Sequence, residues 1–151
     1  MKKFELTGEV KIHFGRKLYQ IKALVSFGDV EAGELGGFIE KEENLSQNEN
    51  AWVSGNAMVS DNAWVSDNAM VSDNALLKVK TDILTIGLIG SRNDTTTFFK
   101  TKDEKINVNC GCFRGTIEEF EKAVEETHGG SFYEKQYKLA IELAKISIQN
   151  R

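Results

Sequence analysis

The sequence predicts a mixed β and α+β protein: an N-terminal β-hairpin and glycine-rich loop over 1–37, a short β-solenoid over 38–80, and a C-terminal α+β unit with two helices over 81–151. Three observations carry that prediction. Apolar and polar residues alternate near the start, nearly the same hexad recurs through 51-AWVSGNAMVSDNAWVSDNAMVSDNA-75, and two helix-start signatures follow residue 115.

Composition bounds the function classes first. With 151 residues, 40% hydrophobic and 28% charged, the chain reads as a soluble globular protein. A net charge of −4 argues against adhesion to nucleic acid or anionic membranes by bulk electrostatics. The start, MKKFELTGEV, continues into no apolar signal region, and no run approaches the roughly 18 apolar residues of a membrane span. A cytosolic protein is the expectation. Cys110 and Cys112 stand one residue apart, a spacing that favours two reduced thiols over a strained disulfide. Proline is absent, as suits a chain rich in strands that need every backbone donor.

Val10, Ile12 and Phe14 alternate with polar residues, then Tyr19, Ile21 and Ala23 do so after Gly15, which reads as a β-hairpin. The segment 28-GDVEAGELGGFIEKEENLSQ-47 holds four glycines before Phe38 and reads as a loop that gives way to regular structure there. The hexads come next. A period of six fits the side-chain period of 2 of a strand and not the 3.6 of a helix. Val53, Val59, Val65, Val71 and Leu77 then share an inward phase, with Ala57, Ala63, Ala69 and Ala75 at crowded corners. Asn56, Asn62, Asn68 and Asn74 precede the alanines and suit a left-handed corner conformation. Trp52, Met58, Trp64 and Met70 neighbour the inward positions, so they are expected to face outward and form an interface with another part of the chain or another subunit.

From residue 78 the repeat stops. Ile83 to Ile89, 95-TTTFFKTK-102 and 105-KINVNCG-111 read as strands. Thr116 with Glu119, and Ser131 with Glu134, read as capping boxes opening two helices. Ile117, Phe120 and Val124 line one helix; Tyr137, Ile141, Ala144 and Ile148 line the other, so their aromatics are expected in the core.

Chemistry is expected after the repeat. In 90-GSRNDTTTF-98, backbone N–H groups, the hydroxyls of Ser91, Thr95, Thr96 and Thr97, the Asn93 amide and the Arg92 guanidinium together suit a phosphate or carboxylate. An ordinary polar turn is the competing reading. Cys110 and Cys112, followed by Arg114 just before a helix start, form the second candidate, since that position attracts anions and lowers a thiol pKa. Zinc would need more ligands than two thiols and His128. A cysteine nucleophile with His128 as base, and small buried thiols without reactivity, are the other readings. No metal, cofactor or catalytic residue is assigned.

The aliphatic-x-x-x-small-x hexads resemble those of left-handed parallel β-helix proteins, in which three hexads make one triangular coil. With Phe4-Glu5-Leu6-Thr7, 33-GELGGFIEKEENLSQ-47, 90-GSRNDTTTFFK-100 and 107-NVNCGCFRGTIEEF-120, the whole chain resembles bacteriophage and prophage hexapeptide-repeat proteins related to putative acyltransferases. The resemblance implies a short left-handed β-helix of about two coils capped at both ends. Hexapeptide acyltransferases use a catalytic histidine, whereas His13 and His128 lie outside the repeat, so an acyltransferase-like enzyme is the weakest expectation. The first is a non-enzymatic homo-oligomer in the bacterial cytoplasm that sequesters an anionic, nucleotide-like signal of host defence. The second is a protein-interaction module, a virion accessory or an inhibitor of a host enzyme.

Overall fold

The computed structural model describes residues 2–149. The chain divides into two compact units, Met1–Lys80 and Thr81–Arg151. No helix among the described residues is long and apolar enough to cross a membrane.

In the first unit, β1 (Phe4–His13) and β2 (Arg16–Ala23) form an antiparallel hairpin, and β3 (Leu35–Ile39) joins β2 antiparallel. The hexads supply four strands of two residues each: β4 (Trp52–Val53), β5 (Met58–Val59), β6 (Met70–Val71) and β7 (Leu76–Leu77). Pairing among them is parallel and offset by three hexads, Trp52 opposite Met70 and Met58 opposite Leu76.

The segment is not the left-handed β-helix that the hexads suggest. The strands β5 and β7 extend the hairpin into a five-stranded mixed sheet, β1-β2-β3-β5-β7, while β4 and β6 make a separate two-stranded sheet. The third register amounts to one isolated bridge, Leu45 to Val65. Turn chemistry explains why the strands stay short. In every hexad an alanine N–H donates to the serine carbonyl three residues earlier, at 3.3 Å for Ala57, 3.1 Å for Ala63 and Ala69, and 3.2 Å for Ala75. Each turn places its first central residue at positive φ: Gly55 at 62°, Asp61 at 52°, Asp67 at 56° and Asp73 at 57°. The left-handed residue is therefore the one before each asparagine, not the asparagine itself.

The inward valines, Leu77 and the four corner alanines are all buried. Trp52 and Met58 are buried as well, and Trp52 meets another part of the chain. Phe27 packs edge-on to the Trp52 indole at 5.4 Å between centroids. Of the four supposed interface residues only Trp64, 52% exposed, presents a large open surface; Met70 is half-buried.

In the second unit β8 (Ile83–Ile89), β9 (Asp94–Lys100), β10 (Ile106–Cys110) and β11 (Phe113–Thr116) form an antiparallel sheet in sequential order. Helices α1 (Ile117–His128) and α2 (Phe132–Ala144) follow, the second ending in a π-turn over Lys145–Gln149. Thr116 Oγ1 accepts from the Glu119 N–H at 3.1 Å and Glu119 Oε1 accepts from the Thr116 N–H at 2.8 Å, a complete capping box. Ser131 makes no such cap. Its hydroxyl donates to the His128 carbonyl at 2.6 Å, tying the end of α1 to the start of α2. Phe98, Ile106, Val108, Phe120 and Ile141 form the centre of a core that the two helices close over the sheet.

Candidate functional site

Because the four strands run up and down in sequence, the β8–β9 turn and the β10–β11 turn fall at the same end of the sheet. Register confirms it: Ile89 pairs with Asp94 and Cys110 with Thr96. The first turn carries Ser91 and Arg92 and is closed by the Asn93 N–H donating to the Gly90 carbonyl at 3.1 Å. The second is the two-residue link Gly111–Cys112, with Gly111 at φ +57°.

Between these turns and the helices lies a pocket of about 220 Å³. Ser91, Arg92, Gly111 and Cys112 stand exposed at its mouth, and Phe113, Phe120, Val124 and Tyr137 form its apolar floor. Thr127, His128 and Cys110 complete the wall with Ala123. The His128 and Tyr137 rings stack at 5.7 Å with 28° between planes, and Phe120 meets Tyr137 edge-on at 5.5 Å.

Gly90 fixes where the first turn sits relative to α2. Its φ is +82°, and a Cβ built on it would lie 1.7 Å from Tyr137 Oη. Only glycine allows the turn to press against that hydroxyl. The Gly90 N–H also donates to Gln136 Oε1 at 2.8 Å, a second tie to the same helix.

Cys110 Sγ accepts from Thr96 Oγ1 at 3.3 Å and lies 3.9 Å from Tyr137 Oη. Burial, and then the neighbouring Cys110 and Asp94, push the Tyr137 phenol up to about 12, with Arg92 pulling the other way. The phenol is therefore a neutral hydrogen-bonding group at any physiological pH. Arg92 is the one permanently charged residue of the lining, and the carboxylate of Asp94 stands near the Gly111 turn.

Of the residues singled out from sequence, Ser91, Arg92, Cys110 and Cys112 come together here. The threonine row does not offer its hydroxyls. Thr96 and Thr97 are buried on the inner strand β9, the Thr96 hydroxyl donating to Cys110 Sγ, and Thr95 is half-buried against Gly87. Asn93 and Arg114 are exposed but lie outside the lining, Arg114 on β11 opposite Asn109. Tyr137, Phe120 and Phe113 were not anticipated as site residues, and His128 only as a remote base. The helical spacing of Tyr137 and Phe120 marks them as core, and they are core residues whose edges also floor a pocket, while Phe113 on β11 packs half-buried against that core. Among the described residues no three His, Cys, Asp or Glu side chains gather in a way that would hold a metal ion. Comparison of the chain with protein-family models gives no match, and no curated protein matches it.

Proposed function

We propose that the protein is a non-enzymatic binding protein for a small anionic ligand of nucleotide-like chemistry, held in the pocket of the C-terminal unit. The observation that carries this reading is the pairing of Arg92 and Ser91 at the mouth with an aromatic floor in one cavity. A guanidinium and a hydroxyl suit a phosphate or carboxylate, and Tyr137 with Phe113 suits a flat ring. Size restricts the ligand. At about 220 Å³ the pocket falls below the range of roughly 300–1,000 Å³ usual for drug-sized ligands, so it fits a base or a sugar phosphate better than a whole cyclic dinucleotide. Sequestration of a defence signal in the cytoplasm of a phage-infected bacterium belongs to the same proposal.

Native mass spectrometry against mononucleotides, ADP-ribose derivatives and cyclic nucleotides tests it. The reading expects a stoichiometric adduct that weakens about tenfold or more in Arg92→Ala, as when a charged hydrogen bond is lost. An unliganded protein across the panel, or an adduct indifferent to Arg92→Ala, overturns it. A protein-contact reading draws support from the exposed indole of Trp64, and Trp64→Ala would weaken that contact while leaving ligand binding unchanged.

A further inference from the structure

Helix α2 has two apolar faces. One, with Tyr137, Ala140, Ile141 and Ala144, is buried in the core of its unit. The other carries Phe132, Leu139 and Leu143, continued by Ile146 in the π-turn, and these are 69%, 73%, 47% and 62% exposed. At about 100° per residue the four fall within roughly 60° of one another, nearly opposite the buried face. Helix α1 shows what an ordinary surface helix offers instead: its exposed positions include Glu118, Glu119, Lys122, Glu125 and Glu126.

We propose that this stripe is a two-fold interface with a second copy of the chain, the two α2 helices crossing antiparallel near Leu139. The spacing of seven, four and three residues is that of a coiled-coil seam. Leu139 stands seven residues from both Phe132 and Ile146, so a two-fold axis there sets Phe132 of each copy against Ile146 of the other. Charge selects the same arrangement. Lys135 and Glu142 are both exposed on one flank of the stripe, and no ion pair among the described residues engages either. Antiparallel pairing brings Lys135 of one copy beside Glu142 of the other, twice per dimer. Parallel pairing would turn this flank toward the partner's other flank, where Ala140 is buried in its own core, and match neither charge. The four side chains offer roughly 400 Å² per copy, about 800 Å² for the pair, below a standard interface. A dimer with a Kd in the micromolar range is expected.

Sedimentation equilibrium of the full chain from about 1 to 200 µM brackets that affinity. The expected result is a reversible dimer whose Kd rises about a hundredfold or more in Leu139→Asp, which puts two carboxylates on the axis, with the far-UV spectrum unchanged. Lys135→Glu and Glu142→Lys each raise Kd about tenfold, and the two together return it to within about threefold of the starting value. A wild-type monomer at 200 µM overturns the proposal. So does a dimer indifferent to Leu139→Asp, which would place the contact elsewhere, or charge reversals that do not rescue one another.

Discussion

Replacing Gly90 by alanine tests whether the turn bearing Ser91 and Arg92 is held against α2 as described. Two costs add. The first is conformational: at φ +82° an alanine gives up about 1 kcal/mol. The second is steric. The new Cβ would stand 1.7 Å from Tyr137 Oη and 2.4 Å from Cζ, so ring or turn must withdraw by about 1.5 Å to regain van der Waals distance. Tyr137 packs against Phe120 and His128, and moving it opens the core there for roughly 1–3 kcal/mol more. Urea unfolding of Gly90→Ala should therefore show a loss of about 2–4 kcal/mol. Gly130→Ala is the matched control, with φ +80° and nothing within 4 Å of the added atom; it should lose about 1 kcal/mol. In a Tyr137→Leu background the Gly90→Ala cost should shrink to the same conformational figure. Equal losses for Gly90→Ala and Gly130→Ala, or an unchanged loss after Tyr137→Leu, would refute the contact.

Thr116→Ala removes the Oγ1 that accepts from the Glu119 N–H, leaving the Thr116 N–H to Glu119 in place, and should cost about 1 kcal/mol by urea unfolding, while Thr116→Ser should keep most of the cap's stabilisation. The Tyr137 phenol, raised from 10.0 to about 12 first by burial and then by Cys110 and Asp94, sets an alkaline limit. Between those values the folded chain keeps a proton that the unfolded chain has lost. The stabilisation is fully present below about pH 10 and disappears as pH rises through about 12. Tyr137→Phe should flatten that fall by on the order of 1–2 kcal/mol, measured as unfolding free energy against pH.

How much of this was legible depends on which physical signal each residue carries. A period of six marks Val53, Val59, Val65, Val71 and Leu77 as one buried row, since alternation along a strand leaves an inward residue no other face. The same alternation turns Trp52 and Met58 away from that row, toward a contact with another segment, and both are buried. A strand has two faces, and periodicity cannot tell which outer face another segment will cover; Phe27, 25 residues before Trp52, does so here. Nor does the repeat fix how its short strands join a sheet. Adjacent β5 and β7 continue β3 and the hairpin, while β4 and β6 pair apart, and that division follows from contacts outside the hexads. The asparagines were expected to take the left-handed corner, yet Gly55, Asp61, Asp67 and Asp73 take it, each the first central residue of a turn closed by an alanine N–H on a serine carbonyl.

The pocket follows a similar logic. Polarity and glycine content single out 90–93 and the Cys110–Cys112 link, but neither shows that they meet. What joins them is a topological consequence of four strands in sequential antiparallel order, in which every second turn shares an end. The floor was hidden for a different reason. Tyr137 has the spacing of a core residue on α2 and is one, being 7% exposed, while its hydroxyl edge reaches Cys110 and the turn at Gly90. Helical periodicity assigns a side chain to a face; it does not say which atoms of a large side chain reach the margin of the core. Amphipathic aromatics are where that distinction matters most, because the ring belongs to the interior and the polar end needs a partner. On α2 the outer stripe had a signal of the same kind, with Leu139 and Leu143 at seam spacing beside Lys135 and Glu142. Reading a helix for one apolar face leaves the second unread, and in α2 the second face is the one free to meet another chain.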